Sequence, residues 1–423
     1  SLERVDTARV ACNNSTNWRA SNNPNGGTPG SQNSIFGRSS DTEAPQLTNV
    51  GAGPFGTSFT LDFSEAVISE SVSINAFDLE SLGNPDNVQL SSNGMRISIS
   101  FTGQLTGGRT YSLAYVDIED CFGNKGSGSV LVGAKEAALP GDVLINEILF
   151  NPYAGGKDFV EIINVSDKII DLQTLSIGES LPGVDTIFNS DQLASSSTLI
   201  LPGQILCLTN DPDNQRISYL PPETARFLQM RGFPTYDDTE GVVVLFASNG
   251  VDTIALDRFE YLDDYHFVSL ADKNGVSLER LSTSIPTQNP DNWHSAASTV
   301  NYASPGYENS QGIAIAEAPS EVSLLHNLVS PDGDGQDDVL TIQYDFDFTG
   351  GNARVMVYDL EGRLVKRVAE NALLGNQAGI FTWDGSDERL GKAPVGAYIV
   401  MVEVSTNGKR DVYKLPCAVV AGF

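Results

Sequence analysis

SLERLSTSIPTQNPDNWHSAASTVNYASPGYENS, residues 277–310, repeats almost throughout the stretch SLERVDTARVACNNSTNWRASNNPNGGTPGSQNS, residues 1–34. Ser1-Leu2-Glu3-Arg4 aligns with Ser277-Leu278-Glu279-Arg280, and Asn17-Trp18 with Asn292-Trp293. Pro29-Gly30 aligns with Pro305-Gly306, and Asn33-Ser34 with Asn309-Ser310. Internal repeats divide a chain before any other signal does. The interior copy closes a long strand-rich segment. Residues 1–34 therefore read as the closing segment of a preceding domain of the same kind, and the chain as part of a longer series.

Outward from the repeat, short alternating runs dominate. TSFTLDF puts Phe59, Leu61 and Phe63 on one face. MRISISF does the same for Met95, Ile97, Ile99 and Phe101, and YSLAYVD for Tyr111, Leu113 and Tyr115. A period of two sends one face to a core and the other to water. Forty glycines and twenty prolines punctuate these runs, as in β-sandwiches. GVVVLFASNGVDTIALDRFEY, residues 241–261, predicts a hairpin turning at Asn249-Gly250. PPETARFLQM, residues 221–230, predicts one short helix, with proline at its entry and Gly232 beyond its end. After the linker QGIAIAEAPSE, the runs VLTIQYDF, ARVMVYD, IFTWDG, GAYIVMVEV and DVYKLPCAVV form a last strand-rich module. The fold class expected is all-β: tandem β-sandwich (Ig-like) modules in an extended multidomain chain. The division is 1–34, 35–136, 137–311 and 312–423.

The chain has 423 residues, and its formal charge of −29 comes from 54 acidic and 25 basic side chains. Such a surface repels phosphate backbones, which argues against nucleic acid as a partner. Most of that charge is explained by solubility alone. No apolar run of about 18 residues is present, so a membrane-spanning helix is not expected. Cys12, Cys121, Cys207 and Cys417 are too far apart for a metal knuckle or a CxxC pair, and allow zero, one or two disulfides. Cys207, within QILCLTN, reads as a small core residue.

Three resemblances follow from particular residues. GDVLINEILFNPYAGGKDFVEIINVSDKIIDLQTLSIGE, with DKNGVSLERL, DNW and SPGYENS, resembles bacterial lamin-tail domains over about residues 141–310. Phe63-Ser64-Glu65-Ala66-Val67 and Asp120-Cys121-Phe122-Gly123-Asn124 resemble bacterial Ig-like modules across residues 41–136. The last hundred residues resemble hook-capping Ig-like domains and the type IX secretion domains of Bacteroidetes, including the gliding-motility-associated kind. The residues that carry this are Ser330-Pro331-Asp332-Gly333-Asp334-Gly335, Val357-Tyr358-Asp359, Gly362-Arg363, Trp383-Asp384-Gly385 and Gly396-Ala397-Tyr398. The terminus DVYKLPCAVVAGF departs from many sorting domains in lacking a basic end. The resemblance implies a location outside the cell or on the outer-membrane surface of a Gram-negative bacterium. Its expected partners are the outer-membrane secretion machinery, surface components and upstream domains of the same parent.

SPDGDGQDD is the strongest local chemical signal. Asp332, Asp334 and Asp338 offer hard oxygens, Gln336 a carbonyl, and two glycines let the backbone curl. Ca²⁺ takes about 6–8 such oxygens at roughly 2.3–2.6 Å, so further ligands such as Asp345, Asp347 or Asp384 would be needed. The loop reads either as a structural calcium site or as an Asp/Gly turn whose carboxylates bond local amides. Glu147 and Glu161 lie in strand-like runs and read as carboxylates satisfied by backbone or arginine rather than as catalytic bases. His266, His294 and His326 show no zinc spacing, and no Gly-x-Ser-x-Gly elbow or phosphate loop occurs. Two functions fit. One is a non-catalytic secreted or surface protein with a stalk or adhesion role. The other is the accessory tail of an extracellular nuclease, phosphatase or protease whose catalytic domain precedes Ser1. The first reading, with no catalytic residue, is the expectation.

Overall fold

The computed structural model describes residues 1–6, 17–37, 42–248, 253–268, 270, 272–314, 321–406 and 408–421. Cys12 and the Asn249-Gly250 turn lie outside the described residues. The chain is all-β, built of small sandwich-like sheets, and divides into two compact units. The first holds Ser1–Ala138 with Ser166–Thr174 and Ala194–Pro202; the second holds Leu139–Val165, Leu175–Leu193 and Gly203–Phe423.

In the first unit, a four-stranded antiparallel sheet runs Leu47–Ala52, Ser58–Phe63, Arg96–Ser100, Asn87–Leu90. A three-stranded sheet runs Phe77–Leu79, Tyr111–Glu119, Lys125–Val132. Register places Phe59 opposite Ile99 and Leu61 opposite Ile97. These side chains share one core with Phe77, Leu79, Leu113 and Tyr115. Burying each contributes about 1.5–3 kcal/mol relative to exposure. Met95 departs from the alternation: the strand starts at Arg96, and Met95 is exposed. The Asp120 carboxylate accepts the amides of Phe122 and Asn124 and the Asn124 side chain, which closes the turn around Gly123. Cys121 in that turn is disulfide-bonded, whereas Cys207 and Cys417 are free and buried.

In the second unit, a six-stranded sheet runs Phe227–Gln229, Ile205–Thr209, Phe159–Asn164, Val143–Leu149, Leu278–Arg280, Trp293–Ser295. Val143–Leu149 is buried along its whole length, although Asn146 and Glu147 interrupt its apolar sequence. A bulge at Asn146 interrupts its register with Phe159–Asn164 and re-aims that side chain. A four-stranded sheet runs Phe188–Gln192, Leu175–Ser180, Glu240–Ser248, Thr253–Leu262, the last two pairing up to Ser248 opposite Thr253.

The helix predicted at residues 221–230 is not there. The helix is Pro212–Tyr219, capped by the Asp211 side chain on the Asn214 amide, with Pro212 at its entry. It ends at Leu220 in the left-handed conformation, and Phe227–Gln229 is a strand. Pro221-Pro222 stops a helix here rather than starting one, because proline disfavours helical geometry in the residue before it.

The C-terminal part of this unit has a three-stranded sheet, Val322–Leu324, Leu340–Asp345, Ala378–Trp383. Its five-stranded sheet runs Leu328–Val329, Lys409–Val419, Gly396–Thr406, Gly351–Asp359, Leu364–Leu374. Ile342, Phe381 and Trp383 from the first pack with Val355, Val400 and Tyr398 from the second. Trp383 is a core residue whose Nε1 donates to the Ser386 carbonyl at 2.8 Å. Among the described residues, no helix is long and apolar enough to cross a membrane.

Candidate functional site

The Asp332–Asp338 loop precedes the strand Leu340–Asp345. Carboxylate oxygens of Asp332, Asp334 and Asp338 lie within 4.8 Å of one another. Asp338 is buried. Its Oδ1 accepts the Gly333 amide at 2.6 Å, and its Oδ2 accepts the Gly335 amide at 2.7 Å and Gln311 Nε2 at 3.0 Å. Asp332 accepts the Asp334 amide and the Ser330 hydroxyl, and Asp334 accepts the Gln336 amide at 2.8 Å. Gln336 is exposed. Asp345, Asp347 and Asp384 lie outside the group of three. Asp384 instead accepts the Ser386 amide.

The loop also docks on the preceding part of the same unit. Ser298 donates its amide and its hydroxyl to the Gly333 carbonyl, both at 2.8 Å, and the Thr299 hydroxyl donates to the Asp334 carbonyl at 2.7 Å. Gly335 has φ +95°, and a Cβ there would stand 2.9 Å from the Ala297 Cβ, so glycine is required on both counts. Nearby, Asp291 accepts the amide and hydroxyl of Thr382; burial pushes its carboxyl up to about 6 against those bonds.

A second cluster was not visible in sequence as a cluster. Glu147, Glu161 and Glu279 come from three neighbouring strands and are completely buried. Glu147 accepts the Ser277 hydroxyl and the Ser304 amide and hydroxyl. Glu161 accepts Asn146 Nδ2 and the Gly306 amide, each at 2.7 Å. Glu279 accepts the hydroxyls of Ser304 and Ser310 and the Gln311 amide. Their partners are hydroxyls and amides; the arginine expected beside Glu147 and Glu161 as an alternative partner is not among them. Burial, then the neighbouring Glu279 charge, pushes the Glu147 carboxyl up to about 8. Burial and Glu147 raise Glu161, and burial raises Glu279 against its hydrogen bonds. The signal in sequence was Ser277, Ser304 and Ser310, hydroxyls set at the positions where the repeat carries Ser1, Thr28 and Ser34.

Of the histidines, His266 and His294 are buried, and burial lowers both. His294 sits on the strand Trp293–Ser295. Asp237 accepts the Thr239 amide and hydroxyl at an exposed turn. An open depression of about 420 Å³ is lined by Asn146, Arg280, Glu308 and Asn309 among others, and Glu308 is the acidic side chain among its described lining residues.

Residues 323–415 match the CHU_C type IX secretion signal domain. That signal marks the chain for export to the cell surface or the extracellular space, through machinery the signal must engage. The Asp loop lies inside the signal domain, eight residues into which Ser330 opens SPDGDG. No curated protein matches the chain significantly. Among solved structures, the surface layer protein SbsC, domains 1–6, is 14% identical over 90% of this chain and 55% of that one, with a TM-score of 0.21. Dimeric latent PorU from Porphyromonas gingivalis is 12% identical over 90% and 34%, at 0.20. The ICAM-5 D1–D4 ectodomain fragment is 9% identical over 89% and 77%, at 0.18. The chain spans about half the length of the SbsC chains it matches. At such scores the likeness carries no argument about activity.

Proposed function

We propose that the chain is a non-catalytic part of a secreted or surface-attached modular protein, with a stalk or adhesion role. Type IX export would use its last module as the signal and as a structural cap. In this reading, residues 137–311 form a lamin-tail sandwich, residues 35–136 an Ig-like module, and residues 1–34 the closing piece of a further lamin-tail domain. The observation that carries the proposal is the secretion-signal match at 323–415, on a chain otherwise made of β modules. The latch between Ser298, Thr299, Gln311 and the Asp332–Asp338 loop supports a cap that is held on its cargo after export. The test is removal of residues 321–423 in the native bacterium, followed by cell fractionation. The truncated protein is expected to accumulate inside the envelope; undiminished surface display would sink the proposal.

The Asp332–Asp338 loop is proposed to hold one structural Ca²⁺. Oxygens about 2.3–2.6 Å from one ion are separated by no more than roughly twice that distance, which the three carboxylates satisfy. Among the described residues, no lysine or arginine pairs with any of them. Gln311 and the Asp338 carboxylate would then tie the ion to the latch. Calcium should raise the melting temperature of the signal module by a few degrees over chelator. Identical melting in both would leave the loop as a hydrogen-bonded turn.

A further inference from the structure

The two closing segments are the same structure. Leu2–Arg4 pairs with Trp18–Ala20, and Leu278–Arg280 with Trp293–Ser295, in the same antiparallel register. Arg4 lies over Trp18 at 5.1 Å, and Arg280 over Trp293 at 5.2 Å. Asn17 bonds the Asp6 backbone twice, as Asn292 does that of Ser282. Asn33 Nδ2 donates to the Arg4 carbonyl, and Asn309 Nδ2 to that of Arg280, each at 2.9 Å.

They differ on one edge. Leu278–Arg280 is covered by Val143–Leu149, with Ile148 opposite Leu278 and Glu147 opposite Glu279. Leu2–Arg4 has no second strand neighbour among the described residues. Leu278 is 0% exposed and Leu2 69%. Arg280 Nε donates to the Ile145 carbonyl at 2.7 Å, whereas Arg4 Nε is buried without a partner. A buried guanidinium donor left unpaired costs free energy that a strand carbonyl would recover. In the covered copy the neighbouring strand also sends Glu147 to Ser277 and Ser304, and exchanges hydrogen bonds between Asn146 and Asn309. Ser1, Thr28 and Asn33 hold the matching positions.

We propose that the Leu2–Arg4 edge is a strand-docking site. Its partner is an extended apolar strand with Asn-Glu at its centre, running antiparallel, with the chemistry of Leu144–Ile148. The strand comes from outside residues 1–423, because Val143–Leu149 is already paired on both sides. Strand addition of this kind takes its affinity from the ladder and its specificity from alternate side chains.

The experiment adds a synthetic peptide of residues 141–152 to the full chain and follows hydrogen–deuterium exchange by mass spectrometry. Exchange within residues 1–6 should slow by about tenfold. Leu2→Glu, at an exposed position that the fold tolerates, should abolish the protection, and so should Asn146→Lys with Glu147→Lys in the peptide. Three results would overturn the proposal: no protection at millimolar peptide, protection confined to residues 277–282, or protection that survives Leu2→Glu. Concentration-dependent protection of residues 1–6 without peptide would also overturn it, in favour of a second copy of the chain.

Discussion

Glu3 and Glu279 hold the same position in the two closing segments and are bonded by the same kinds of donor. Thr28 and Ser34 serve Glu3 as Ser304 and Ser310 serve Glu279. Their proton affinities move in opposite directions. Burial tends to raise Glu3, but hydroxyls of Thr28, Ser34 and Ser21 and the Ser34 amide outweigh it and hold the carboxyl at about 2. Complete burial wins at Glu279 and raises it despite its hydrogen bonds. Glu3 is buried on a two-stranded ribbon; Glu279 is buried in a six-stranded sheet beside two further carboxyls. A local hydrogen-bond motif therefore does not set its own electrostatics. The far side of the strand does.

The widest divergence is expected from pH. A carboxyl raised in the folded state keeps its proton there, so the fold binds more protons than the unfolded chain between the ordinary value of 4.5 and about 8. Stability then falls as pH rises through that window. Glu147, Glu161 and Glu279 all act in this sense. Glu3 acts in the other: its contribution is present above about 4.5 and is lost as pH falls toward about 2. With ¹⁹F-labelled tryptophan, the Trp293 environment should melt progressively earlier from pH 5 to pH 8. The Trp18 environment should hold over that range and loosen only in acid. Parallel titration of the two signals would break the comparison.

Arg280 and Arg4 sharpen it next. Arg280 bonds the carbonyls of Ile145 and Ile285, the Thr287 hydroxyl and Asp257, and Trp293 beneath it stacks on Phe259 at 3.7 Å between ring centres. Arg280→Ala leaves Asp257 buried without its countercharge and should cost about 3–5 kcal/mol in urea unfolding. Arg4→Ala removes a side chain whose Nε has no acceptor and should fall within about 0.5 kcal/mol. Equal costs would mean that the edge of the first copy is already covered.

What the sequence disclosed follows the range of the interactions involved. The runs at 58–63 and 96–100 were legible because a period of two is local, and the Asp332–Asp338 loop because its donors and acceptors lie within a few residues. Pro221-Pro222 misled because proline both opens and stops helices, and only the Asp211 cap decides which. The glutamate cluster was hidden because it is assembled by sheet order from Glu147, Glu161 and Glu279, more than a hundred residues apart at its ends. Sequence offered the repeated hydroxyls but not the face they share. The Gln336 amide bonds the Asp334 carboxylate, between Gly335 and Asp337, which both have positive φ.

The smallest effect isolates a single hydroxyl. Ser304 donates to both Glu147 and Glu279, so Ser304→Ala strips one donor from two buried carboxyls at once. Both should be driven further up, and the cost should be about 1–3 kcal/mol, because nothing else replaces the bond in a dry site. Thr28 donates to Glu3 alone, at 2.6 Å. Thr28→Ala should move Glu3 upward from about 2 toward its ordinary value, visible in the carboxyl ¹³C titration, with little change in melting because Ser21 and Ser34 still serve it. If a strand of the Asn-Glu kind then docks on Leu2–Arg4, the same substitution should become costly. Its carboxylate would need the Thr28 hydroxyl that Glu147 needs from Ser304, and the two closing segments would answer the substitution alike.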